Sequence, residues 1–175
     1  HTMEESTTYY FQVFNDYFSD AIEIFSHFFI DPLLSENSIE REINAVDSEY
    51  QNSLTNDAHI FEAATKQFMR PEHPGSRFSI GCTETLDVPN IRESVLNFYN
   101  KYYSAHLMNL VVVGEESLDE LECQVVKMFS AIPKKDVTIN IDYGNMCPPN
   151  VNGLIVPMKD GHKLNMYWEF DYNNN

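Results

Sequence analysis

The chain has 175 residues, 43% hydrophobic and 13% aromatic, which is enough for a buried core and too aromatic for a disordered segment. Its formal net charge of -16 disfavours nucleic acid and anionic membrane surfaces as partners, because their phosphates would be repelled. Three cysteines without a C-x-x-C pair (Cys82, Cys123 and Cys147) argue against a disulfide framework or a cysteine zinc site and fit a reducing compartment.

Thr7 to Phe14 (TTYYFQVF) is dense in β-branched and aromatic residues and reads as a strand. Asn15-Asp16 offers a helix cap. Tyr17, Phe18, Ala21, Ile22, Phe25, Phe28 and Phe29 follow at helical spacing until Asp31-Pro32, which predicts a helix with a broad aromatic face. Asn37 with Glu40 makes a capping-box pattern. Behind it Ile39, Ile43, Val46, Tyr50 and Leu54 form one apolar stripe, with Glu42, Glu49 and Ser53 on a single flank of it. Glu42 and Glu49 are therefore expected to be partly buried, which is unusual for glutamates on an amphipathic helix. The helical pattern resumes over Ile60, Phe61, Ala64 and Phe68.

Arg70 to Gly75 is a loop, and Ser76 to Leu86 has no clear period. Asn90 with Glu93 predicts a capped helix running to about Tyr103. Leu107 to Val113 (LMNLVVV) reads as a buried strand stopped by Gly114. Ser117 with Glu120 opens a further helix, with Leu118, Leu121, Val125, Met128, Phe129 and Ile132 on one face and Pro133 at its end. Val137 to Ile141, Leu154 to Val156 and Leu164 to Phe170 read as strands. This order predicts one α+β domain, with helices packed on a mixed, largely antiparallel sheet. His1-Thr2-Met3 reads as an expression scar, residues 4–172 as the domain, and Asn173-Asn174-Asn175 as a polar tail.

The residues that carry chemistry are sparse. None of His1, His27, His59, His73, His106 and His162 is paired at i,i+3 or i,i+4, and His59-Ile60-Phe61-Glu62 lacks the second histidine of a zinc helix. There is no G-x-S-x-G and no phosphate loop, and no cysteine has an identifiable base beside it. Glu42 and Glu49 remain. Seven residues is close to two helical turns, so the two carboxylates project about 20° apart. By spacing alone such a pair is usually a solvated or salt-bridged face, with a metal site the less common reading.

The run Arg41-Glu42-Ile43-Asn44-Ala45-Val46-Asp47-Ser48-Glu49 closely resembles the third-ligand segment of the insulinase (insulysin, pitrilysin) family of zinc metallopeptidases. Other blocks agree in order. They are Thr7 to Phe11, Phe28 to Leu33, His73-Pro74 with Phe78 and Gly81, Tyr102 through Gly114, and Glu116 to Leu121. The likeness is dense from about Thr7 to Ile132 and is nearest the insulysin branch. It implies that Glu49 is the zinc-binding carboxylate and that Glu42 supports the site by hydrogen bonding or charge balance.

The family also needs an upstream H-x-x-E-H motif, whose histidines bind Zn2+ and whose glutamate is the general base. This motif would fall before residue 1, so the chain reads as part of an N-terminal catalytic domain, inactive by itself. The resemblance further implies peptide substrates and further domains of the same chain as the other half of a chamber. No nucleic-acid or membrane partner is expected. The location expected is intracellular and cytoplasmic, with mitochondria or another compartment left open. The alternative is a non-catalytic structural or binding relative of the same fold, such as a core-protein-like subunit or a pseudo-peptidase. The family often has Asn after the loop glycine where this chain has Cys82, so substrate contacts at that point are not carried over.

Overall fold

The structure is a computed structural model and describes residues 1–3, 5–139, 143–155 and 164–168. Its helices are α1 (Phe18–Ile30), α2 (Glu36–Ser53), α3 (Asp57–Lys66), α4 (Thr83–Leu86), α5 (Ile91–Tyr102) and α6 (Leu118–Phe129), with 3-10 turns at Asn15–Tyr17, Pro74–Ser76 and Ala105–Leu107. No strand occurs among the described residues, and the β pairing there is one isolated antiparallel bridge between Thr2 and Thr7. The expected α+β sheet arrangement is therefore corrected to a helical one.

The reason for the discrepancy is that β-rich composition is local while a ladder is not. Thr7 to Phe14, apart from the bridge at Thr7, and Leu107 to Val113 have the residues of strands but no ladder partner among the described residues. Val111 and Val113, expected to be buried, are 85% and 88% exposed. Val137 to Ile139, Leu154 to Ile155 and Leu164 to Trp168 likewise form no ladder. The remainder of those three expected strands, at 140–141, 156 and 169–170, lies outside the described residues.

The chain divides into two compact units. The first takes His1–Glu40 and Pro89–Ile139, and the second takes Arg41–Val88 with the described residues of 140–175. In the first unit, Phe18 and Ile22 of α1 pack on Leu121 of α6, joined by Val112, Val125, Met128 and Phe129. Phe25 extends this core by ring contacts with Phe11 at 5.0 Å, Phe29 at 5.1 Å and Phe129 at 6.4 Å. The aromatic face is less buried than its spacing predicts, since Phe28 is 53% exposed.

The last carbonyls of a helix lack intrahelical partners. At the end of α1 the hydroxyl of Tyr99 supplies one, donating to Phe29 O and Ile30 O at 2.8 Å each. Ser104 is fully buried and ties two segments together. Its Oγ lies 2.7 Å from His106 Nδ1 and accepts from Lys135 N at 2.8 Å, while His106 Nε2 is 3.1 Å from Val137 O. The carbonyl can only accept, so Nε2 carries a proton, and in the neutral ring Ser104 then donates to Nδ1.

The predicted helix starts fare differently. The Ser117–Glu120 capping box forms, with Ser117 N donating to Glu120 Oε2 at 3.0 Å and Ser117 Oγ accepting from Glu120 N. Ser117 Oγ also donates to Glu120 Oε2 at 2.6 Å, and this bond first, then the one from Ser117 N, holds the Glu120 carboxyl below its usual range. The Asn37–Glu40 box is displaced. Helix α2 starts at Glu36, and Ser35 Oγ accepts from Ser38 N at 3.3 Å. Asn90 does precede α5, but in the left-handed conformation (φ 61°) and without a side-chain cap bond.

The second unit is held by a buried lysine. Lys66, only 8% exposed, donates from Nζ to Arg77 O and pairs with Glu62 Oε1, both at 2.9 Å. Ser79 Oγ donates to the same Glu62 oxygen at 3.0 Å. The hydrogen bond from Lys66 is the main cause holding the Glu62 carboxyl below the ordinary carboxylate range, partly opposed by desolvation. Gly153 meets the Phe68 ring so closely that a Cβ there would lie 2.0 Å from Cζ.

Candidate metal centre

Helix α2 presents different faces to its surroundings. Within the second unit its covered side is Ile43, Val46, Asp47, Tyr50 and Ser53, with Ser53 only 4% exposed. Tyr50 meets Phe78 edge-on at 6.1 Å. Asp47 Oδ1 accepts from Thr83 N at 2.8 Å, across 36 residues of chain. At 100° per residue, Glu49 projects about 160° from Asp47 and about 20° from Glu42.

Glu42 and Glu49 are both exposed, contrary to the partial burial expected from their place beside the apolar stripe. The packing explains this. Segment 78–83 covers the Tyr50 and Asp47 side of α2 and leaves the opposite flank open. Neither carboxylate has a hydrogen-bond or ion-pair partner among the described residues. Each is thus an exposed carboxyl group on a regular helix, open to a cation or a donor as far as the described residues extend.

The donor chemistry fits one coordination position and not a set. Among the described residues no group of three or more His, Cys, Asp or Glu is placed to hold a metal ion. A single carboxylate does not retain zinc, which takes four ligands in structural sites and three protein ligands in catalytic ones. The described histidines lie apart from Glu49 in their contacts, and His59 Nδ1 is buried without a hydrogen bond among the described residues. His27 Nδ1 lies 2.6 Å from Asp31 Oδ1, His59 Nδ1 lies 3.7 Å from Glu62 Oε2, and His73 Nδ1 accepts from Gly75 N at 3.0 Å. His162 lies outside the described residues. Ser104 and His106 form a serine–histidine contact, but the serine is 0% exposed and cannot meet a substrate.

Cys82, read as a loop residue, is buried at the N-cap of α4. Its amide donates to Thr85 Oγ1 at 2.9 Å, so its place is structural. The residues that sequence reasoning missed are Asp47, Thr83 and the Lys66–Glu62 pair. Asp47 had one legible sign, a carboxylate about 40° from Ile43 at the edge of the apolar stripe. Its acceptor role depends on a tertiary contact that no local pattern encodes.

With this geometry in hand, comparison with known proteins defines the class. The family model described as insulinase (peptidase family M16) matches residues 1–74, and the one described as the peptidase M16 inactive domain matches residues 90–175. The chain belongs to the insulinase family. Among its relatives, insulin-degrading enzyme-like 1, peroxisomal, of Arabidopsis thaliana is 37% identical over 177 residues, covering 96% of this chain and 18% of the relative. A Schizosaccharomyces pombe protein whose name places it among zinc proteases is 41% identical over 145 residues, covering 79% of this chain and 15% of the relative. The crystal structure of pitrilysin matches with a TM-score of 0.71 and 31% identity over 77% of this chain and 15% of that one. The chain thus spans less than a fifth of the length of the relatives it matches. No helix among the described residues is long and apolar enough to cross a membrane.

Proposed function

We propose that this chain is part of a zinc-dependent metalloendopeptidase that hydrolyses peptide bonds of small polypeptides. Residues 4–172 belong to its N-terminal peptidase domain, Glu49 supplies one carboxylate ligand, and Glu42 supports the site. The observation that carries this reading is the exposed Glu49 carboxylate, without a partner among the described residues, on a regular helix inside the segment matched by the insulinase model. When bound, zinc supplies a polarised water for attack on a peptide carbonyl. This chain's own part is to hold an anionic oxygen on a rigid element, with a second carboxylate one heptad away raising the local negative potential. The other ligands and the general base are assigned to the H-x-x-E-H motif of a longer protein. Peptide substrates and further domains of that protein are the partners.

The test is zinc stoichiometry in the longer protein. Wild type should hold zinc with a full peptidase rate. Glu49→Gln, which keeps the volume and removes the charge, should lower zinc affinity by about tenfold or more, together with activity. Retention of zinc by Glu49→Gln would sink the assignment. The isolated 175-residue chain should show neither peptidase activity nor one equivalent of tightly held zinc.

The second reading is a non-catalytic relative, favoured by one observation, the match of residues 90–175 to a model described as an inactive domain. It predicts a longer protein that binds peptides and releases no cleavage products even when zinc is supplied.

A further inference from the structure

We propose that Asp47 is a positioning residue for Glu49, locking the rotation of α2 through the amide of Thr83; this rests on reading Glu49 as a metal ligand. Thr83 opens α4, and its N–H is one of the donors that a helix start leaves without a partner. Cys82 at the N-cap offers only a weak sulfur acceptor, so the carboxylate of Asp47 takes that donor at 2.8 Å. One turn along α2, Tyr50 meets Phe78 on the same side. The segment between these two contacts is fixed at its other end, where Lys66 holds Arg77 O and Glu62 holds Ser79 Oγ. α2 is therefore clipped to an anchored strap along one side. Glu49 projects about 160° from Asp47, so its direction follows from that clip. Without the clip, rotation of α2 about its axis would swing Glu49 along an arc while leaving the helix itself intact. A ligand that must meet others at fixed distances loses affinity under such freedom.

Thr83 permits a clean test, because it is the first residue of α4. Proline suits that position, and Cys82 before it has the extended backbone (φ -137°, ψ 172°) that a following proline requires. Thr83→Pro therefore deletes the donor while keeping the helix start, Asp47→Ala deletes the acceptor, and Asp47→Asn keeps an acceptor oxygen without the charge. Zinc affinity is measured by chelator competition in the longer protein, alongside Glu49→Gln, with amide exchange and thermal midpoints recorded for each. The expected result is a loss of about tenfold or more for Asp47→Ala and for Thr83→Pro. The double variant should be no worse than either single one, and Asp47→Asn should retain most of the affinity. Helical circular dichroism should be unchanged throughout. The positioning role is overturned if Thr83→Pro binds zinc like wild type, or if Asp47→Asn is as poor as Asp47→Ala, since charge and not the clip would then be at work. A failure of the Glu49 reading is distinct, because it appears in the wild-type and Glu49→Gln arms alone.

Discussion

Lys66 is the side chain on which the second unit's loop depends. It is a buried ammonium satisfied by one carboxylate and one carbonyl, and removing its head leaves Glu62 and Arg77 O short of a partner. Lys66→Met keeps the aliphatic stem and should cost about 1–2 kcal/mol, read as a lowered urea midpoint. The same pair sets a pH dependence. The carboxyl of Glu62 is depressed in the folded state below its ordinary value of 4.5. Its contribution is therefore fully present above that value and is lost as pH falls through the lower, folded one. Thermal midpoints should drop below about pH 4.5 in wild type and drop less steeply in Glu62→Gln. Little of this was legible in the sequence. Glu62 and Lys66 sit at i,i+4 and look like a surface pair, and the burial of Lys66 comes from residues 77–79, which have no periodic signal. Glu49 was legible as a candidate through its neighbours, whereas its exposure was not, because the covering segment lies on the far side of α2.

Helices were legible where the signal is local. Apolar spacing pointed to α1, α2, α3 and α6, the Asn90–Glu93 pattern pointed to α5, and the Ser117–Glu120 box located the start of α6 to the residue. Ser117→Ala should cost about 1 kcal/mol and fray the first turn of α6, seen as faster exchange of the Glu120 amide. The Asn37 and Asn90 boxes show the limit of that signal. The same letters occur, but Ser35 caps α2 instead and Asn90 adopts a positive φ. The strands were misread for a different reason, since the β character of Leu107 to Val113 describes a preference that only a partner strand can realise. Gly153 belongs to this scale as well. Gly153→Ala should displace the Phe68 ring and cost about 1–3 kcal/mol, checked by a lowered melting midpoint.

At the scale of the whole molecule, charge and apolar exposure act together. A net charge of -16 accompanies exposed Val111, Val113, Leu154 and Leu164, the last two at 91% and 82%. Electrostatic repulsion keeps such surfaces apart near neutrality. Solubility should pass through a minimum near the pI of about 4.5, with light scattering as the readout.

The division into units has a topological consequence. Each unit is assembled from two separated stretches of chain, and the stretches alternate along the sequence. No single peptide-bond cleavage releases either unit as one intact fragment. A protease nick between Leu86 and Asn90 would leave both units dependent on both products. The halves should therefore co-migrate on a native gel and separate only in denaturant, which is the behaviour of interlaced rather than tandem architecture.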